Sequence, residues 1–137
     1  MSRMIFVNLP VGDLPRARGF YQALGFTINE QFSDETAACV VISDTIYVML
    51  LTHPKYAQFT PLPITDETKS SSHLMALSFD DRAAVDAFAK AALAAGGSEP
   101  RPVQDLGFMY SRAISDPDGH TWEPFFMDMS AMPGEGA

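Results

Sequence analysis

The chain runs through one order of predicted elements twice, and this repeat restricts its possible folds more than any other feature. Residues 4–10 form a predicted strand, and residues 14–24 place apolar side chains at helical spacing. Three strands separated by turn residues follow at 26–32, 37–43 and 45–52. The first half of the chain is therefore predicted as a βαβββ module.

The second half repeats this order after a connection. Residues 53–72 contain three prolines and end in a polar stretch, which predicts a linker. The elements predicted beyond it are a strand at 73–79, a helix ending at about residue 95, and strands at about 99–104, 108–115 and 121–127. The two halves share little sequence identity, so the repeat is one of structure.

The two predicted helices begin and end at the same types of residue. Asp13 precedes the first helix and Asp80 or Asp81 the second, and aspartate is a favoured N-cap. Gly25 follows the first helix and Gly96 and Gly97 follow the second, at positions where glycine commonly ends a helix.

Strand 45–52 is apolar at both odd and even positions, which predicts that both of its faces are covered. We therefore expect the sheets to curve around a second layer or a ligand cavity.

Size and composition exclude several classes of protein. A chain of 137 residues predicts one domain, and a net charge of −8 disfavours nucleic acid and anionic membranes as partners. Cys39 is the single cysteine and lies in an apolar run, which predicts a buried thiol and no internal disulfide. Neither a signal peptide nor a membrane span is predicted, and we expect a cytoplasmic protein.

Two segments carry a resemblance to a known family. Residues 7–14 (VNLPVGDL) and 20–26 (FYQALGF) resemble the opening of the glyoxalase/bleomycin-resistance/dioxygenase (vicinal oxygen chelate) superfamily, and residues 116–123 (DPDGHTWE) resemble its turn into the last strand. Within that superfamily the chain is most similar to the subgroup labelled "predicted lactoylglutathione lyase". The resemblance implies an α+β fold of two βαβββ modules, forming curved mixed sheets around a cup with helices on the outer face.

The resemblance also implies how the chain is organised. We expect a single glyoxalase/bleomycin-resistance-like domain over residues 1–137. Its parts are module one at 1–52, a linker at 53–72, module two at 73–129 and a frayed tail at 130–137. A homodimer is expected, because two-module chains of the superfamily usually assemble four modules around two cups. The alternatives of a cup closed within one chain and a cup closed across a dimer stay open.

In metal-dependent relatives, four inward side chains hold a divalent ion. The resemblance places these positions at Phe6, Leu50, Leu74 and Glu123, of which only Glu123 can bind a metal. One carboxylate does not make a metal site. His73, His120 and His53 have no shared face by strand parity. We therefore expect no metal and no cofactor, with one divalent metal as the alternative if the alignment slips.

The same parity predicts the lining of the cup. It is mostly apolar with a few polar groups, as small-molecule pockets are. The predicted lining residues are Phe6, Asn8, Leu50, Thr52, Leu74, Ala76, Met109, Ser111, Glu123 and Phe125. Glu123 is the one ionisable group of this set and the candidate catalytic residue, an acid that is hard to ionise in an apolar cup unless something pairs with it.

Two neighbours of Glu123 in the sequence bear on its role. Pro124 lies in the middle of the last strand, where it cannot donate to the ladder, and a bulge there would change the direction of Glu123. Arg112 has the opposite parity to the cup residues, so we expect it to pair with an acidic residue of the helix layer.

Three functions remain open from the sequence. The first is a metal-free protein that binds a small molecule in an apolar cup, similar to bleomycin-resistance proteins. The second is a lyase or isomerase, either metal-free with Glu123 as acid or base, or metal-dependent through other ligands. The third, a protein–protein interaction module, has no dedicated signal in the sequence.

Overall fold

In the computed structural model of the chain, residues 2–131 are described. The chain divides into two compact units, one ending at Ser70 and the other beginning at Ser71. This boundary lies inside the predicted linker at 53–72, and a single domain over 1–137 stays a prediction. The predicted frayed tail lies largely outside the described residues, and its first two positions belong to a short 3-10 helix, Met129–Ala131.

The first unit contains a four-stranded mixed sheet. Its elements are β1 (Ile5–Val11), α1 (Leu14–Ala23), β2 (Thr27–Asn29), β3 (Ala37–Val41), β4 (Ile46–Thr52) and the one-turn helix α2 (His53–Tyr56). The strand order is β1-β4-β3-β2, with β1 parallel to β4 and the other pairs antiparallel. The predicted strand at 26–32 is less than half as long in the structure, because a 3-10 helix, Glu30–Phe32, replaces its end.

Local capping and an apolar stripe explain α1. The Asp13 carboxylate accepts a hydrogen bond from the Arg16 amide at 3.0 Å, which satisfies one of the free amides of the first turn. Gly25 follows the helix with φ of +98°, a conformation that favours glycine. The buried stripe of Leu14, Ala17, Phe20 and Tyr21 lies on the helix, which packs on β3 and β4.

The second unit repeats this topology. Its elements are β5 (Met75–Ser78), α3 (Arg82–Ala94), β6 (Gln104–Asp105), β7 (Met109–Ser111), β8 (Ile114–Ser115) and β9 (Thr121–Met127). The strand order is β5-β9-β7-β6, with β8 also paired to β9 and β5 parallel to β9. Asp81 caps α3 through the Ala84 amide at 2.7 Å. The predicted α+β fold of two βαβββ modules with mixed sheets is therefore confirmed.

Prolines explain where the strands of the second unit are shorter than predicted. The segment predicted as a strand at 99–104 pairs regularly only from Gln104, since Pro100 and Pro102 have no amide proton to donate. The predicted strand at 108–115 is split into β7 and β8. At the break, the Arg112 amide donates to the Pro124 carbonyl at 3.1 Å, and Pro124 has no N–H to return the bond.

The register across Pro124 is continuous. Ser111 lies opposite Phe125 on one side of the break and Ile114 lies opposite Trp122 on the other, so neither strand carries an extra residue. The bulge that the sequence allowed at Pro124 does not form, and the direction of Glu123 is that of a regular strand. Along the described residues 2–131, no helix has the length and apolar character that crossing a membrane requires.

Candidate functional site

A cavity of about 310 Å³ opens on one face of the second sheet. Its apolar lining consists of Ala76, Met109, Phe125 and Met127, and its polar lining of Arg101, Gln104, Ser111 and Glu123. The strand register places these side chains together, because Ala76 lies opposite Glu123 and Met109 opposite Met127. The alternate residues of β9, Trp122 and Pro124, are buried on the other face, where α3 packs.

An ion pair lies inside this cavity. The Nη2 atom of Arg101 donates to Oε2 of Glu123 at 3.1 Å and to Oγ of Ser111 at 3.3 Å, and Nη1 donates to the Pro102 carbonyl at 3.1 Å. The Arg101 side chain is 33% exposed and that of Glu123 26% exposed, so both are half-buried and reachable from solvent. We call this pair with its surrounding cavity the Arg101–Glu123 pocket.

Arg101 corrects the prediction that Glu123 is the one ionisable group of the lining. The guanidinium stabilises the carboxylate, so Glu123 is not an isolated acid in an apolar cup. Sequence reasoning missed Arg101 because strand parity does not apply to the irregular segment that carries it. The signal available in the sequence is an arginine between two prolines, Pro100 and Pro102, which restrict the backbone on both sides.

A second network holds the Arg101 segment against the helix layer. Arg112 binds both carboxylate oxygens of Glu99, at 2.9 and 3.0 Å, and one oxygen of Asp86 on α3 at 3.0 Å. The prediction that Arg112 pairs with an acidic residue of the helix layer is confirmed. Tyr110 donates to Asp86 at 2.6 Å, and this bond, with Arg112, lowers the pKa of Asp86. Glu99 lies two residues before Arg101 and therefore anchors the segment.

The structure brings half of the predicted cup residues together. Those that line the Arg101–Glu123 pocket are Ala76, Met109, Ser111, Glu123 and Phe125. Leu74 precedes β5, is 58% exposed and is not among the lining residues. Strand parity is reliable here because β5 and β7 are each paired directly to β9.

The four predicted cup residues of the first unit do not share a face. Phe6 lies opposite Tyr47, with the two rings stacked 4.5 Å apart, and Asn8 lies opposite Met49. Leu50 lies opposite Leu9 on the other face of the sheet, where both are buried, and Thr52 caps α2 through the Lys55 amide. The prediction of a common face assumed that even-numbered residues of β1 lie beside even-numbered residues of β4. In the structure, the numbers of paired residues in the two strands differ by an odd number, so even-numbered residues of β1 lie beside odd-numbered residues of β4.

These residues do not fit a divalent metal at the positions that the family resemblance implies. Phe6, Leu50 and Leu74 offer no ligand atom, and Leu50 lies on the opposite face from Phe6. The remaining candidate, Glu123, is bound to a guanidinium, whose positive charge opposes a cation at the same oxygen. The side chains at these four positions therefore do not form a site for a divalent ion.

Two of the three histidines do come together. The rings of His73 and His120 stack with their centroids 5.9 Å apart, and His120 is buried. The sequence, in which the three histidines have no shared face by strand parity, did not predict this pair. Strand parity did not find this pair because both residues lie outside the regular strands.

Cys39 is buried as predicted, and burial raises the pKa of its thiol.

Comparisons with known proteins agree with this architecture. Residues 3–43 match the family model "Bleomycin resistance protein-like N-terminal". No curated protein sequence gives a significant match. Among solved structures, a hypothetical protein from S. aureus is 23% identical, with a TM-score of 0.77 over 92% of this chain and 94% of that one.

Two further solved structures carry descriptive names. A glyoxalase/bleomycin resistance protein/dioxygenase family enzyme from Burkholderia phytofirmans is 20% identical, with a TM-score of 0.74 over 92% of this chain and 99% of that one. A bleomycin resistance determinant encoded on the transposon Tn5 is 21% identical, with a TM-score of 0.65 over 93% of this chain and all of that one. The N-terminal segment thus matches a bleomycin-resistance-like family model, and the chain shares the fold of solved proteins named as glyoxalase/bleomycin resistance/dioxygenase family members.

Proposed function

We propose that the chain binds a small organic molecule in the Arg101–Glu123 pocket without a metal. The observation that carries the proposal is a half-buried ion pair set among apolar side chains in a concave surface. Ligand pockets combine such apolar walls with a few polar groups that fix the orientation of the ligand. The bleomycin resistance determinant encoded on the transposon Tn5 shares this fold.

Methionine methyl groups offer a direct test, because Met109 and Met127 line the pocket while Met49 lies on β4 of the first unit. We expect a panel of small aromatic fragments to shift the NMR signals of Met109 and Met127 and not that of Met49. Shifts that are absent, or equal at all three methyls, contradict binding at this site.

A blocking variant sharpens the test. Ala76→Trp places a large ring at the pocket wall and should abolish the fragment-induced shifts while the protein stays folded. Ala87→Trp, on the exposed side of α3, is the matched control and should leave them unchanged. Equal binding by both variants shows that the fragments bind elsewhere.

We keep a metal-dependent lyase or isomerase as the second candidate. The observation that favours it is the His73–His120 pair, since imidazole is a common ligand of transition metals. Elemental analysis of protein purified without chelator decides between the candidates. Stoichiometric zinc, nickel, manganese or iron favours the enzyme, and metal-free protein that binds fragments favours the binding protein.

We also propose that the protein is a cytoplasmic homodimer. The support is the single buried Cys39, which suits a reducing compartment, and the exposed apolar side chains at the start of β1. Met4, Ile5 and Phe6 are 51%, 55% and 46% exposed, which is unusual for three consecutive apolar residues of a monomer.

A further inference from the structure

We propose that the Arg101–Glu123 pocket selects ligands whose polar head has no net charge and carries a hydrogen-bond donor beside an acceptor. A primary amide or a compact zwitterion on an apolar body has this chemistry. The inference rests on the proposed binding function and adds the class of ligand.

The first argument is the charge of the lining. Arg101 and Glu123 neutralise each other, and the other polar lining residues, Gln104 and Ser111, are uncharged. A cationic or anionic ligand would lose its hydration in this pocket without meeting an uncompensated opposite charge. It would also have to compete with one member of the existing ion pair, so the pocket discriminates against both kinds of ion.

The second argument is the hydrogen-bonding capacity of the pair. The contact between Arg101 and Glu123 joins one nitrogen to one oxygen and is not bidentate. Within the described part of the chain, the hydrogen bonds of Arg101 use Nη1 once and Nη2 twice. Of the five donor protons of the guanidinium, those on Nε and one on Nη1 remain for a ligand. Oε1 of Glu123 likewise keeps acceptor capacity. A head group with an adjacent acceptor and donor satisfies both residues at once.

The third argument is the size and softness of the apolar wall. A volume of about 310 Å³ is at the lower end of the range for ligand pockets, which suits a body of about one ring. Met109 and Met127 lie opposite each other across β7 and β9, beside Phe125. Thioether side chains adapt to rings of different shape, so the wall does not dictate a single body.

Three probes of nearly equal size separate the charge classes: benzamide, benzoate and benzylammonium. Each is titrated into the native protein while the methyl signals of Met109 and Met127 are followed. We expect benzamide to bind at least threefold more tightly than either ion. Benzoate or benzylammonium binding as tightly as benzamide overturns the inference and leaves the binding function standing, whereas no shift with any probe overturns both.

Charge variants of the pair then test the cause. Arg101→Met leaves an uncompensated carboxylate, so benzylammonium should become the tightest-binding probe. Glu123→Gln leaves an uncompensated guanidinium, so benzoate should become the tightest-binding probe. Arg101→Lys keeps the charge and should keep the native order, which controls for the loss of the arginine shape. An unchanged order in both charge-removing variants overturns the inference.

Discussion

Arg101 and Glu123 lie 3.1 Å apart, Nη2 to Oε2, on one face of the second sheet although neither a strand nor a helix carries Arg101. This relationship changes the role expected for Glu123, from an isolated acid to the negative half of a neutral pair. The pair is partly exposed, so its contribution to stability is small.

The first prediction concerns Glu123→Gln. Because the pair is about one third exposed, removing its charge should change the free energy of unfolding by less than about 1 kcal/mol. Benzamide binding should weaken about tenfold, or ~1.4 kcal/mol. Chemical denaturation and NMR titration measure the two effects. Glu30→Gln removes the charge of another Arg–Glu pair, with Arg18, and should leave benzamide binding unchanged. Unchanged affinity in Glu123→Gln contradicts a functional role.

The second prediction concerns Arg112, which is 18% exposed and binds two carboxylates. Arg112→Met should destabilise the protein by about 2–4 kcal/mol, since it leaves Glu99 and Asp86 without their shared cation. Arg82→Met is the control, because its pair with Asp105 is about half exposed and screened by solvent, so its loss should destabilise the protein much less. The denaturant midpoints of both variants measure the loss of stability. The same loss in both would show that burial does not determine how much these ion pairs contribute to stability.

The third prediction concerns stability in acid. The hydrogen bond from Tyr110, with Arg112, holds the pKa of Asp86 below its usual value, and the hydrogen bond from Arg82 lowers the pKa of Asp105 to about 2. A carboxyl with a depressed folded pKa stabilises the fold above its unfolded pKa of about 3.9, and this stability is lost as the pH falls through the folded value. The double variant Asp86→Asn, Asp105→Asn should therefore lose less stability between pH 5 and pH 2.

Denaturation curves at fixed pH values check this slope. The double variant is expected to be less stable than the native chain at pH 5 and to approach it at pH 2. If the plots of stability against pH for the native chain and the double variant stay parallel over this range, these two carboxylates do not contribute to acid unfolding.

The fourth prediction concerns assembly. Burial of the exposed apolar residues at the start of β1 should drive dimer formation, so light scattering at micromolar concentration should give twice the chain mass. Phe6→Lys should shift the protein to monomers, whereas Leu93→Lys, which changes an exposed apolar residue of α3, should not. A monomeric native protein would remove the proposal.

The fifth prediction is that the chain has no lactoylglutathione lyase activity. Phe6, Leu50 and Leu74 supply no metal ligand, and Arg101 binds the one carboxylate at the remaining position. The methylglyoxal–glutathione hemithioacetal should not be turned over with added nickel or zinc. Metal-dependent turnover would contradict the assignment of these positions and favour the His73–His120 alternative.

Much of the fold was predictable because its signals are local. The caps at Asp13 and Asp81 act on amides three residues away, and the helical stripe of α1 is read within a few turns. The placement of Arg112 toward α3 followed from simple strand alternation, as did the common face of Ser111 and Glu123.

The sequence by itself therefore determined the order of elements, the repeated module and the candidate position of Glu123. Only the tertiary structure decided that Phe6 and Leu50 lie on opposite faces, because the offset between two paired strands is set by turns and packing that no local pattern encodes. It also decided that Arg101 meets Glu123, since the proline-flanked segment of Arg101 follows neither helical nor strand periodicity and its path depends on the anchor between Glu99 and Arg112.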